Sequence, residues 1–340
     1  MIKKLFVIAC LACILLFTWL FFPTFDFNRE KKLIGWQKLP LPMPYKSFRD
    51  FAYAVAEKRI YVFNGEHFFY SDDLEKWHEI TEIPEFRTFH REEPFALAWF
   101  KNRLWAFFNR EGKEVWSSKD GSNWQLEADK VFMSAHIYGK ICSFKDKLWL
   151  INSLGEGEVF SSDDGKLWNK VGQCGLYSQI VKNLLVFKNE LWVIGHDWSN
   201  FCKTSDGKTW QKVRLNFPGP SRNNAAFGVF DDKLWLIGGQ REYSMRETVK
   251  ADPLFFLSIL NMQGSSKRMK DLSDTWYSED GQNWFCNSRQ ESLNFLDIKA
   301  FTIGERFILI GDAANFSYNS ARDLPEDKYV WEAIPTKTDN

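Results

Sequence analysis

A short motif recurs five times along this chain. Each copy has a Ser or Thr, one spacer, an Asp, a Gly in all copies but the first, and a Trp six positions after its start. The copies are Ser71-Asp73-Trp77 (with Leu74 in the Gly position), Ser118-Asp120-Gly121-Trp124, Ser162-Asp164-Gly165-Trp168, Thr204-Asp206-Gly207-Trp210 and Ser278-Asp280-Gly281-Trp284. Self-similarity of this kind predicts repeated structural units, because each unit must bury its face against a neighbour.

The segments around each motif are typical of β-strands. An apolar segment precedes each motif, as in Leu104–Phe107 and Leu148–Ile151, and a second one lies upstream of a charged turn. Each unit therefore has the pattern of a four-stranded antiparallel meander. Six units, most of them 41–47 residues long, run from Trp36 to Trp331 and fill positions 36–335, which predicts an all-β, six-bladed propeller, with seven blades as the alternative. Trp36 and Trp331 both begin a last-strand pattern, so we expect one terminus to complete a blade begun at the other.

The chemistry shared by the five copies of the motif is that of a hairpin turn. Asp accepts hydrogen bonds from backbone amides two residues on, and Gly supplies the positive φ of the turn. We expect each motif Trp to place its indole in the gap between blades, where Trp→Ala would cost about 3–5 kcal/mol. The motif Asp and Trp residues are therefore interpreted as structural rather than ligand-binding.

Two features resemble known propeller families. The sequence Leu-Trp-Leu-Ile-Gly-Gly at 234–239, with Ser221 and Arg222 before it, resembles a kelch repeat. The Ser-x-Asp-Gly-x-x-Trp turns are similar to the Asp boxes of sialidase-type propellers, although one residue shorter. The resemblance implies a ligand site around the central channel, on the face opposite the Asp turns. Candidate ligand-binding residues in the loops of that face are Arg49, Arg91, Arg222, His196 and Trp198.

A glycan-directed hydrolase of sialidase-like type is the alternative function. Resemblance to that family implies an arginine triad and a Tyr-Glu nucleophile pair. Arg49 lacks the Ile and Pro that would follow it in such an enzyme, and no Tyr-Glu pair is assignable. The five His and the Cys of the propeller fit no metal pattern. We therefore assign no catalytic residue, metal or cofactor, and favour a non-catalytic binding module.

The first 27 residues form a separate segment. Lys3 and Lys4 precede an apolar run at 5–22, which as a helix would span about 27 Å of the ~30 Å hydrocarbon core. An uncleaved anchor is favoured over a cleaved signal peptide, because bulky residues rather than small ones follow the run. Lipid modification of Cys10 or Cys13 is a third possibility. The prediction is a single-pass membrane protein with a tether at 28–35, an extracytoplasmic propeller and a tail at 336–340.

One unit contains an insertion, at 241–272 in the fifth repeat. It falls between the second and third strands, on the expected ligand face, where insertions into regular arrays often carry function. Its segment 252–264 has the capping pattern of a helix and is apolar nearly all round. Two interpretations remain open: a lid over the propeller, or a docking element for a partner protein or the bilayer.

Charge and cysteine usage limit the partners. The chain has 44 Lys plus Arg and 44 Asp plus Glu, so no net field favours nucleic acid. Cys174 and Cys202 lie in one repeat unit and could pair in an oxidising compartment. The sequence thus predicts a membrane-tethered propeller that binds a protein or a glycan through the insertion-bearing face, with a purely structural envelope subunit as a further possibility.

Overall fold

The computed structural model describes twelve ranges of the chain. They are residues 31–39, 51–63, 67–81, 94–108, 114–129, 139–152, 156–176, 181–195, 200–242, 269–289, 295–313 and 328–336. The apolar run at 5–22 and most of the insertion lie outside these ranges. Within them the regular structure is β-strand, and no helix of the described part is long and apolar enough to cross a membrane.

The described strands form six four-stranded antiparallel sheets and one two-stranded sheet. The first strand in the chain is β1 (Ile34–Lys38). Blade 1 is β2 (Ala52–Ala56), β3 (Arg59–Phe63), β4 (Phe68–Ser71) and β5 (His78–Ile80); blade 2 is β6 (Pro94–Phe100), β7 (Arg103–Phe108), β8 (Val115–Ser118) and β9 (Trp124–Ala128); blade 3 is β10 (Gly139–Phe144), β11 (Lys147–Asn152), β12 (Glu158–Ser162) and β13 (Asn169–Gln173). Blade 4 is β14 (Val181–Phe187), β15 (Glu190–Gly195), β16 (Phe201–Thr204) and β17 (Gln211–Val213). Blade 5 is β18 (Ala226–Phe230), β19 (Lys233–Ile237), β22 (Thr275–Ser278) and β23 (Phe285–Ser288), and the two-stranded sheet of β20 (Gln240–Glu242) and β21 (Met269–Asp271) lies between β19 and β22 in the sequence. Blade 6 is β24 (Phe295–Ile303), β25 (Arg306–Ala313), β26 (Lys328–Pro335) and β1.

Blade 6 joins the two ends of the propeller. Strand β1 pairs antiparallel with β26, with Trp36 opposite Ala333 and Lys38 opposite Trp331. The innermost strands of neighbouring blades contact one another all the way round, from β2 and β6 to β24 and β2. The predicted six-bladed, four-stranded propeller is therefore confirmed. Strand β1 begins at Ile34, so it includes the last two residues of the segment expected to be a tether.

A buried amide fastens the closing strand to blade 5. The Asn287 Oδ1 accepts hydrogen bonds from the amides of Leu33 and Ile34, at 2.7 and 3.1 Å. Its Nδ2 donates to the Ile34 carbonyl and to Thr275 Oγ1. The side chain is fully buried. Because a buried polar group is costly unless it is hydrogen-bonded, this arrangement fixes the position of β1.

The hydrophobic core consists of layers between adjacent blades. In four blades, the second strand contributes a buried Trp to such a layer: Trp105, Trp149, Trp192 and Trp235. Each indole Nε1 donates to the carbonyl of the last residue of its own blade's first strand, at 2.9–3.2 Å, as Trp149 does to Phe144. The motif Trp residues also pack into these layers, but Trp77, Trp124, Trp168 and Trp210 are only half-buried and Trp284 alone of the five is buried. The main inter-blade indole is thus the second-strand Trp, not the motif Trp.

The buried Trp of one blade lies against the motif Gly of the next. A Cβ added to Gly165 would lie 2.5 Å from the Trp105 ring, and one added to Gly207 would lie 1.9 Å from the Trp149 ring. Gly281 meets Trp192 in the same way. The motif Gly is therefore required both by its positive φ and by the ring that covers it.

At the interface between blades 6 and 1, the larger residue lies in the turn and the smaller one in the strand. Ile308 occupies the second-strand position at which other blades have an aromatic ring, and Leu74 occupies the motif Gly position of blade 1. Both side chains are fully buried in one core cluster, together with Phe301 and Val330. The larger residue in the turn thus fills the space that the smaller residue in the strand leaves.

Each Asp turn is closed by the same hydrogen bonds. In blade 4, the amides of Lys208 and Thr209 both donate to Asp206 Oδ1 at 2.8 Å, and the Gly207 amide donates to Thr204 Oγ1 at 2.9 Å. The other four turns repeat this pattern. The turns between the first and second strands lie at the same ends of the sheets, and four of them have two successive residues at positive φ, as hairpins of type I′ require. We call the end of the ring that carries both sets of turns the Asp-turn face and the opposite end the loop face.

Candidate functional site

A cavity lies along the propeller axis, and all six innermost strands contribute to its wall. Its volume is about 370 Å³. This falls within the range of about 300–1,000 Å³ that is usual for small-molecule sites. Its described lining comprises residues 51–55, 96–99, 140–143, 182–184, 224–227 and 298–300. We call this cavity the central channel.

The strand register arranges the lining in layers. Lys140 pairs with Ile151 in blade 3, Asn183 with Ile194 in blade 4, and Lys299 with Ile310 in blade 6, which are equivalent positions. The corresponding residues of blades 1, 2 and 5 are Ala52, Ala96 and Ala226. This layer lies toward the loop face, because it is near the start of each first strand. One ring of the channel therefore carries polar groups on blades 3, 4 and 6 and small residues on the others.

The next part of the wall is mostly apolar and neutral. Removal from water raises the pKa of Tyr53 to about 12, with a smaller contribution from Cys142, and raises the pKa of Cys142 to about 12. Both groups are therefore uncharged near neutral pH. The Tyr53 ring lies 5.2 Å from the Phe301 ring, and Trp99 is half-buried in the wall. Aromatic and aliphatic surface thus surrounds the few polar groups, as is typical of small-molecule sites.

Arg222 is part of a buried ion pair. Its guanidinium donates two hydrogen bonds to the Asp274 carboxylate, at 2.5 and 2.8 Å, and one to the Gly238 carbonyl. Asp274 also accepts from Trp276 Nε1 at 2.7 Å. The Arg222 side chain is only 1% exposed. Although sequence reasoning placed it among the ligand-binding residues, this geometry favours a structural role at the base of the insertion.

The base of the insertion adjoins the channel wall. Asn223 and Gln240 exchange two backbone hydrogen bonds, at 2.7 and 2.8 Å, and Asn224, the next residue, lines the channel. On the returning side, the Leu272 amide donates to the Gly239 carbonyl. The structure therefore places the insertion between the second and third strands of blade 5, and Gln240, the residue before it, pairs with Asn223 next to the channel wall.

The other candidate ligand-binding residues lie outside the described ranges: Arg49, Arg91, His196 and Trp198. The structure consequently describes Arg222 alone of the five. Sequence reasoning did not single out Lys140, Lys182 or Lys299, although a lysine inside an innermost strand of mostly apolar residues is a signal that could have marked them.

The described cysteines are free thiols. Cys174 and Cys202 lie in the same inter-blade core, and burial raises the pKa of Cys174 to about 12. The disulfide considered from their spacing is not formed. Among the described residues, no three His, Cys, Asp or Glu side chains are grouped as ligands of a metal ion.

Contacts between Cα atoms divide the chain into two units. The propeller unit comprises Glu30–Arg241 and Asp271–Asn340, and it contains the whole described wall of the channel. The other unit comprises Met1–Arg29 and Glu242–Lys270, of which the structure describes only Glu242, Met269 and Lys270.

Comparison with known proteins supports the propeller. Residues 92–249 match the family model of the DUF6242 β-propeller domain. This segment runs from the start of blade 2 into the insertion of blade 5. No curated protein matches the sequence significantly. Among solved structures, that of YjhT is similar, with a TM-score of 0.60 and 12% sequence identity over 89% of this chain and 97% of the other. At that identity the similarity concerns the fold alone. The kelch-like and Asp-box resemblances are not decided by these matches.

Proposed function

We propose that this protein is a non-catalytic binding module that takes part of a protein or glycan ligand into its central channel from the loop face. The observation that carries the proposal is the cavity of about 370 Å³ at the axis, lined by all six blades. Because each blade contributes one strand to the wall, the lining is rigid and varies in chemistry from blade to blade. Such preorganised concave sites bind ligands without a large ordering cost.

The insertion supports the loop face as the entrance. Gln240, just before the insertion, exchanges two backbone hydrogen bonds with Asn223, and the buried Arg222–Asp274 pair lies at the same end of blade 5. The kelch-like and sialidase-type resemblances support the same face.

Ligand screening combined with channel filling tests this proposal. The full chain is screened against a glycan array and against membrane extracts, and each bound ligand is retested with Ser143→Trp. Ser143 lines the channel and is exposed, so an indole there would occupy the cavity without entering the inter-blade core. Gln211→Trp, on the exposed outermost strand of blade 4, is the matched control.

The expected result is loss of binding in Ser143→Trp and retention in Gln211→Trp. Equal binding by both variants would show that the ligand site is elsewhere. The absence of any bound ligand in both screens would contradict the proposed function itself.

Membrane tethering through residues 5–22 is the second part of the proposal. The apolar run and its basic flank support it, together with the bulky residues that follow. Fractionation of cells that express the full chain should find it in the membrane, with the propeller accessible to protease added from outside. Release of the protein by high salt, or protection of the propeller from protease, would contradict this arrangement.

A further inference from the structure

We propose that the central channel receives a large apolar side chain of a protein ligand, such as the ring of a phenylalanine, rather than a sugar. This inference rests on the proposed function and selects one of its two classes of ligand. Two features of the channel support it. The wall contains a complete ring of apolar residues, and its polar side chains already have partners within the protein.

One residue of each first strand contributes to an apolar ring around the axis. These residues lie one position beyond the layer that contains Lys140 and Lys299, in the direction of the Asp-turn face. They occupy equivalent positions in the six blades, and all of them line the channel: Tyr53, Leu97, Ile141, Leu184, Phe227 and Ala300. We call these six residues the apolar ring. A ligand group that enters from the loop face therefore passes the polar layer and then meets aliphatic and aromatic surface from every blade.

The lysines of the channel wall are engaged within the protein. Lys140 and Lys182 already interact with other groups of the chain. The Lys299 ammonium lies 6.0 Å from the centre of the Phe51 ring. A ligand that recruited one of these ammonium groups would exchange an existing interaction for a new one, so the net gain in free energy would be small. The lysines therefore do not favour a charged ligand.

The side-chain amides of the wall are engaged in the same way. The Asn183 side chain donates to the Lys182 carbonyl at 2.9 Å and accepts from the Phe227 amide at 3.2 Å. The Asn224 side chain donates to Gln240 Oε1 at 3.4 Å. A sugar in the channel would bury hydroxyl groups beside side chains whose hydrogen bonds are already made, which is unfavourable. An apolar side chain needs no such partner.

The apolar ring is neutral, and the channel beyond it has room for a ligand group. The Tyr53 hydroxyl donates to the Ala300 carbonyl at 3.5 Å, and burial raises the pKa of this hydroxyl to about 12, so it remains uncharged. The next residues of three first strands are small: Ala54, Ala98 and Cys142. The volume of about 370 Å³ exceeds that of an engineered apolar cavity of about 150 Å³ that binds benzene. An aromatic side chain therefore fits within the channel.

Blocked amino acids test the inference on the unmodified full chain. N-acetylphenylalaninamide, N-acetylleucinamide and N-acetylglutaminamide share one backbone and differ in the side chain, and methyl glucoside represents a sugar. Calorimetry and ligand-detected NMR measure their affinities. We expect the phenylalanine derivative to bind at millimolar concentration, at least about tenfold more tightly than the glutamine derivative or the sugar, because it buries apolar surface. Added salt should not weaken this binding, since no charge takes part in it.

Two variants of the apolar ring assign the binding to the channel. Leu184→Gln and Ile141→Thr place a polar atom in the ring at half-buried positions, and each should weaken binding of the phenylalanine derivative about tenfold. Leu126→Gln is the matched control, because Leu126 is 46% exposed on the outermost strand of blade 2, and it should bind as the unmodified chain does. Circular dichroism and melting temperature establish which variants are folded.

Two outcomes would overturn the inference. One is that the phenylalanine derivative binds no more tightly than methyl glucoside or the glutamine derivative, a comparison that needs no variant. The other is that the folded ring variants bind it as well as Leu126→Gln does. If a glycan binds, is blocked by Ser143→Trp and is unaffected by Leu184→Gln, the apolar site is refuted while the proposed function stands. If Ser143→Trp blocks no ligand at all, the proposed function fails.

Discussion

Packing of one glycine against one indole recurs at the residue scale in successive blades. The motif Gly has a left-handed backbone conformation, and its missing side chain makes room for the buried Trp of the preceding blade. The hydrogen-bonded turn fixes the position of that Gly, and the strand fixes the position of the Trp. The match between them therefore sets the distance between blades.

Two single Gly→Ala variants distinguish the cost of steric contact from the cost of backbone strain. Gly207 and Gly175 have nearly the same φ, +75° and +77°, but only Gly207 is covered, with the Trp149 ring 1.9 Å from an added Cβ. Gly175 has nothing within 4 Å. Because overpacking a core costs about 1–3 kcal/mol, Gly207→Ala should lower the free energy of unfolding by that much more than Gly175→Ala. Urea denaturation measures both, and equal losses would show that the ring contact is unimportant.

The charge of the turn carboxylates predicts a loss of stability in acid. Backbone hydrogen bonds from Thr209 and Lys208 lower the pKa of Asp206, and bonds from Lys76 and Glu75 lower the pKa of Asp73. An unfolded Asp titrates near pH 3.9, so the unfolded chain binds more protons as the pH falls below about 4. The stabilisation is thus complete above that pH and is lost in acid. The stability gap between the unmodified chain and Asp206→Asn should narrow from about pH 5 to about pH 2, and a constant gap would contradict this.

At the scale of elements, the closing strand depends on one side chain. Asn287 satisfies two backbone amides and one carbonyl around β1, from a fully buried position in blade 5. Asn287→Ala should therefore lower the free energy of unfolding by on the order of 3 kcal/mol, because these groups would remain buried without partners. Asn123→Ala is the control, since the Asn123 amide is exposed and donates to Asp120 at the rim of a turn. A similar small effect of both would mean that β1 is held mainly by β26.

The buried ion pair predicts a non-additive double variant. Arg222→Met leaves Asp274 buried beside Trp276 without its cation, which should cost about 3–5 kcal/mol. Arg222→Met combined with Asp274→Leu removes both charges and should recover part of that loss. Thermal denaturation of the single and double variants measures the coupling. Full stability of Arg222→Met, with loss of ligand binding, would instead support the ligand-binding role first expected from the sequence.

At the scale of the whole molecule, ring closure should be separable from the rest of the fold. A chain lacking residues 1–39 has no fourth strand in blade 6, and its melting temperature should fall because β26 becomes an unpaired edge. A chain lacking residues 1–30 keeps β1 and serves as the control. A peptide of residues 31–39 added to the shorter chain should restore its stability, and the same peptide with Trp36→Ala should do so less well. No rescue by either peptide would contradict the assigned pairing.

The repeat predicted the architecture well because each copy of the motif marks one turn of one blade. The number of blades and closure by a terminal strand followed from counting Trp36, the motifs and Trp331, and the number of strands in each blade followed from the apolar segments around each motif. The sequence did not show that the second-strand Trp residues, rather than the motif Trp residues, are the main buried indoles between blades. Burial depends on which face of a strand meets the next blade. The channel lysines were missed for a related reason: strand periodicity shows which residues alternate, whereas the axis of a ring appears only once the six sheets are assembled.

The exchange of sizes at Leu74 and Ile308 makes one joint of the circle different from the others. Were blade 1 lost, Ile308 would face Gly121 and leave a void, and were an ordinary unit added after blade 6, Leu74 would meet a tryptophan. Gain or loss of a unit at this seam, the usual way in which tandem arrays change length, would therefore produce a mismatched joint. In this respect the six blades are not interchangeable, because the joint between blades 6 and 1 fits only those two blades.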